Sequence, residues 1–113
     1  MRQIDTYITE KLHLTKDIKR SLYPKTMQEA EQIVNDIVDS FTKDKYEVSF
    51  NERDDELYIK ITFEKNQHNT ILHDCGYKAF IALYDEEKYK KYNRGTDWWV
   101  SSPTRIVLKF EYK

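Results

Sequence analysis

Cysteine, glycine and proline are nearly missing from this chain of 113 residues, which holds one of the first and two of each of the others. The lone thiol, Cys75, cannot close an internal disulfide, so no disulfide framework holds the fold. So few glycines and prolines leave little room for long irregular loops and point to regular elements joined by short turns. No apolar run is long enough to cross a bilayer, and no apolar stretch follows Met1, Arg2 and Gln3. The sequence therefore predicts neither a transmembrane helix nor a secretory leader, and the expected location is cytoplasmic. It also lacks a glycine-rich phosphate loop, a G-x-S-x-G turn and an H-E-x-x-H pair, so nothing in it calls for a cofactor.

What is present is charge and aromatic area. Charged residues make up 35% of the chain, aromatic ones 14%, and the mean hydropathy is −0.86. Disordered chains lack this many rings, and each Phe, Tyr or Trp buries far more area than an Ala or Val. The length suits one domain with one modest core. Residues 1–113 are thus read as a single α+β domain, with residues 1–25 a docking segment and residues 26–113 the core.

Periodicity supplies the elements. Ile4, Ile8 and Leu12 repeat every four residues, with Asp5 as N-cap, predicting a short amphipathic helix over residues 4–13. Residues 14–25 read as an extended connector. Thr26-x-x-Glu29 is a capping-box pattern. The apolar stripe that follows it (Met27, Ala30, Ile33, Val34, Ile37, Val38, Phe41) predicts a long helix over residues 26–43. Tyr46, Val48 and Phe50, then Leu57, Ile59, Ile61 and Phe63, alternate with polar residues, the signature of an antiparallel hairpin with one wet face. Residues 66–76 read as a polar loop. Residues 77–84 alternate as a strand would, yet they could open a helix over residues 79–92. The order of Asp85, Glu86 and Glu87 before Lys88, Lys90 and Lys91 favours the helix. Strands are predicted over residues 97–101 and 105–112, the latter with Ile106, Leu108, Phe110 and Tyr112 inward. The expected architecture is a mostly antiparallel sheet with the one long helix on its apolar face, a short N-terminal helix and a possible second helix.

Ile4-Asp5-Thr6-Tyr7-Ile8-Thr9-Glu10-Lys11-Leu12, then Leu14-x-Lys16 and Pro24-Lys25-Thr26 heading an amphipathic helix, resemble the openings of uncharacterised proteins from gut bacteria and their bacteriophages. The resemblance spans about residues 3–41. It implies a phage or mobile-element origin, in the host cytoplasm or associated with a virion, and a shared docking segment. It implies no chemistry.

Few residue sets suggest catalysis. His68, His73, Asp74 and Cys75 are the one cluster of metal-type ligands, but structural zinc takes four protein ligands at tight spacing, commonly in C-x-x-C pairs, and the loop reading prevails. Cys75 as a nucleophile would need a helix N-terminus or an imidazolium to lower its pKa. It could sit near the start of the helix that follows, so a Cys75-dependent activity stays an alternative. Asp54, Asp55 and Glu56 at a hairpin tip would be hydrated, without the burial that tunes a catalytic carboxylate.

Residues 88–113 hold seven cations against two anions, a balance of +5 in a chain whose total is −1. Within this segment Lys90, Lys91, Tyr92, Arg94, Trp98 and Trp99 form an aromatic and basic run. Trp98 and Trp99, adjacent on a strand, must face opposite sides of the sheet, so one of them is available as an anchor. The leading expectation is a small non-enzymatic module that binds a protein partner through these six residues. The first alternative is an accessory protein that binds nucleic acid through the same patch, Lys and Arg meeting phosphates while a ring stacks on a base. The second is an acidic mimic of nucleic acid, built on Asp36, Asp39, Asp44, Glu47, Glu52 and Asp54 to Glu56. No membrane association is expected.

Overall fold

The computed structural model describes residues 26–53, 56–84 and 96–111. Helix α1 spans Met27–Phe41 and begins as its sequence dictates. The Thr26 hydroxyl accepts a hydrogen bond from the Glu29 amide at 3.1 Å, and the Glu29 carboxylate accepts one from the Thr26 amide at 3.2 Å. Each side chain thus satisfies an amide that the first turn leaves unpaired. Met27, Ala30, Val34 and Val38 are buried, with Ile33, Ile37 and Phe41 packed along the flanks. Strands β1 (Tyr46–Arg53) and β2 (Glu56–Phe63) form the expected hairpin, extended further toward its tip than the alternation of apolar residues shows.

Helix α2, Asn69–Leu83, departs from expectation at both ends. Residues 69–76 are helical where a polar loop was predicted, and the helix closes before Asp85 instead of running on to residue 92. Tyr84 caps it in an extended conformation and donates its amide to the Phe80 carbonyl at 3.1 Å. An acidic triplet next to the carbonyl end of a helix opposes its dipole, which favours stopping there. The buried residues Leu72, Cys75, Ala79, Phe80 and Leu83 do recur at helical spacing. The stripe is masked in sequence because Cys75 and Gly76 are small and because Tyr77 and Ile81 put apolar groups on the solvent side.

Strands β3 (Asp97–Ser102) and β4 (Arg105–Glu111) form a second hairpin. The sheet order is β1-β2-β4-β3, all antiparallel, so two hairpins meet along the β2–β4 pairing. Instead of one long helix, two helices of equal length share the same face of the sheet, and a single core joins both to it. Leu57, Ile59, Ile61, Ile106, Leu108 and Phe110 form its floor, fully buried. Phe80 stacks on Phe110 at 5.4 Å between centroids. Tyr46 ties β1 to α1 by donating its hydroxyl to the Asp39 carboxylate at 2.8 Å. The predicted helix over residues 4–13 lies outside the described residues.

Candidate binding face

The sheet register decides what the tryptophans do. Trp98 turns inward and packs against the core. Its ring lies so close to α2 that a Cβ added to Gly76 would sit 2.6 Å from its six-membered ring. Trp99 turns to the opposite face, where no described element packs, and is 40% exposed. Of the other predicted binding residues, Lys90, Lys91, Tyr92 and Arg94 lie outside the described residues. Of the two tryptophans, the structure therefore places Trp98 against the core and Trp99 on an open surface.

Around Trp99 the pairing assembles residues from all four strands. One row across the sheet reads Ser49, Lys60, Val107, Trp99, and the next Asn51, Tyr58, Lys109, Asp97. An open groove of about 250 Å³ lies among them, lined by Asn51, Arg53, Tyr58, Lys60, Trp99, Ser101, Arg105 and Val107. That lining holds three cations and no anion. Val107 is only 4% exposed although it lies on this face, so its neighbours in the grid shield it. The β3–β4 register shifts between Val100 and Ser102, leaving Ser101 as a bulge residue at the groove's edge. Bulges bend a strand and re-aim its side chains, and they are over-represented beside functional sites.

The acidic groups beside the groove have partners of their own, and Glu56, opposite Arg53 in the register, also feels that cation. Glu56 lies 3.1 Å from the Lys109 ammonium and accepts the Tyr58 hydroxyl at 2.9 Å. The Tyr58 hydrogen bond, followed by the pairing with Lys109, holds its carboxyl below the usual carboxylate value. The Asp97 carboxylate accepts the Trp98 amide at 2.7 Å. Tyr58 stands between two cations, its ring centroid 5.9 Å from the Arg53 guanidinium carbon and 5.8 Å from the Lys109 ammonium. Arg105 donates its Nε–H to the Thr62 hydroxyl at 3.3 Å, and no ion pair to it is found among the described residues.

Cys75 does not sit at a helix start. It is fully buried well inside α2, and burial pushes its thiol up to about 12, the reverse of what a nucleophile needs. His68 precedes α2 without capping it through its side chain, His73 is exposed with its ring against the edge of Trp98, and Cys75 faces the core. Among the described residues no three His, Cys, Asp or Glu side chains are grouped to hold a metal ion. Of the acidic residues named for mimicry, Asp54 and Asp55 lie outside the described residues. Asp36 and Asp39 ride α1, Asp44 accepts a hydrogen bond from Gln67, and Glu47 and Glu52, five residues apart on β1, face opposite sides of the sheet.

Tyr58, Lys60 and Arg105 were readable as outward positions of their strands but not as neighbours, and Arg53 fell in the expected turn. Only the strand order, which puts β4 between β2 and β3, brings them to Trp99. No protein-family model, curated protein or solved structure matches the chain.

Proposed function

We infer that this protein is a non-enzymatic binding module that takes a nucleic acid on the open face of its sheet. The observation that carries the reading is the groove lined by Arg53, Lys60 and Arg105 with no anion among its walls. Cations spaced across a flat surface favour a partner whose negative charge is repeated along its length. The near-neutral total charge gives no attraction by the whole molecule, so the binding is local to this face. The phage or mobile-element origin rests on the resemblance of residues 3–41 alone.

The test is fluorescence anisotropy of labelled DNA and RNA oligonucleotides titrated with the full chain at several salt concentrations. If the three groove cations each neutralise one phosphate of a single strand, log affinity falls with log salt with a slope of about −2, from about 0.7 per contact. Lys60→Glu combined with Arg105→Glu removes the binding and leaves the circular dichroism spectrum unchanged. Absence of binding to any oligonucleotide at low salt overturns the reading.

The second reading is a protein partner with an acidic surface, favoured by the 40% exposure of Trp99 beside the cations. Exposed Trp flanked by Arg is the composition of interface hot spots. Binding anchored on an apolar ring weakens much less with salt than phosphate binding does, which separates the two readings.

A further inference from the structure

We propose that the open face is a platform for single-stranded nucleic acid, with an unpaired base stacked on Trp99 and the phosphates of the same strand on Lys60, Arg105 and Arg53. The proposal rests on the nucleic-acid reading above and adds which form of nucleic acid the face selects. Three observations carry it. First, an exposed ring stands beside the groove's cations, and among forms of nucleic acid an unpaired base offers it a free π-face. Second, the charge lies to one side of that ring. In its row Trp99 is followed by Val107 and then Lys60, with Arg105 in the neighbouring row. Trp99 and Lys60 are thus two strand spacings apart, about 10 Å. A strand crossing the sheet leaves a base at Trp99 and carries its backbone over Lys60 toward Arg53.

Third, short polar side chains border the groove alongside Tyr58 and Val107. Asn51 and Ser101 line the groove, and Ser49 stands beside Lys60 in the register. Their amide and hydroxyl groups both donate and accept, so they can meet base edges of any kind without rejecting one. A duplex keeps its base faces stacked inside, so along its length it offers this face phosphates and groove edges but no π-face for Trp99. The occupant is therefore a flexible polyanion with accessible aromatic faces, a description that fits single-stranded DNA or RNA and not an acidic peptide.

The experiment compares four probes against the full chain at one salt concentration. They are a fluorescein-labelled thymidine 12-mer, the corresponding uridine 12-mer, a duplex of equal length, and a polyglutamate peptide. The expected result is binding of both single strands at least tenfold tighter than the duplex, with tryptophan quenching, and no competition by polyglutamate. Trp99→Ala lowers single-strand affinity roughly 5- to 150-fold, the span given by stacking one base, and leaves duplex binding within twofold. Because Trp99 shields Val107, Trp99→Leu is measured alongside. It keeps apolar cover without a π-face and shows the same loss, whereas Trp99→Phe retains most of the affinity. Equal affinity for duplex and single strand, or an unaffected Trp99→Leu, overturns the stacking proposal while the nucleic-acid reading stands. Polyglutamate competing as well as an oligonucleotide overturns it in favour of an acidic partner. No binding of any oligonucleotide sinks the underlying reading itself.

Discussion

At the scale of the residue, Gly76 shows how one missing side chain sets a distance between layers. It lies mid-helix, where a glycine is about 1 kcal/mol worse than alanine, so an exposed glycine there would be improved by substitution. Here the added methyl would meet the Trp98 ring at 2.6 and 2.7 Å and the Ile106 methyl at 3.1 Å. Overpacking of this kind costs about 1–3 kcal/mol and outweighs the gain in helix propensity. Gly76→Ala is expected to lower the thermal midpoint by several degrees, and a variant as stable as the parent would show that Trp98 can step aside. The opposite fates of Trp98 and Trp99 were legible from their adjacency alone, because successive residues on a strand face opposite sides. Which of the two faces water was not legible, since that depends on where α2 packs.

At the scale of the element, α1 was legible nearly to the residue and α2 was not, and the difference is physical. The α1 segment carries a capping box, a wide stripe and a clean polar face, so every local signal agrees. The α2 segment begins at Asn69 without a side-chain cap, exposes Tyr77 and Ile81, and buries a cysteine and a glycine. Its helicity is fixed by packing on α1, β3 and β4, which no local pattern contains. The stripe of α1 itself is graded. Val38 is fully buried while Ile37 is only partly so. The sequence makes the two positions look equivalent as targets for a buried charge. The structure predicts that Val38→Asp abolishes the cooperative unfolding transition, whereas Ile37→Asp, able to turn its carboxylate toward water, only lowers the midpoint. Equal loss in both variants, followed by urea denaturation, would contradict the packing described for α1.

At the scale of the whole molecule, two groups on different elements make folding sensitive to alkali. Burial raises the Cys75 thiol from 9.0 to about 12, and burial followed by the hydrogen bond to Asp39 raises the Tyr46 phenol above its usual 10.0. In both cases the folded protein favours the neutral form. Their contribution is complete below the unfolded values and is lost as pH rises from about 9 through the raised folded values. Stability measured by urea denaturation should therefore be level near neutrality and fall steeply above pH 9. Cys75→Ala should flatten the first part of that fall and Tyr46→Phe the later part. An unchanged slope in Cys75→Ala would mean that the thiol ionises without disturbing the core. The candidate face was legible only in pieces at this scale. Alternation marked Tyr58, Lys60 and Arg105 as outward, but strands distant in sequence become neighbours through the sheet order, which composition does not encode.

The groove straddles the β2–β4 seam. Asn51, Arg53, Tyr58 and Lys60 belong to the first hairpin, while Trp99, Ser101, Arg105 and Val107 belong to the second. Neither hairpin owns a site, so a half-assembled chain has nothing to offer a ligand. A nucleic-acid strand bound across the seam, as proposed above, would grip both halves and hold shut the join on which the core depends. Ligand at a hundred times its dissociation constant would add about 2.7 kcal/mol to the free energy of unfolding. Loading would then reinforce the closing of one hairpin against the other.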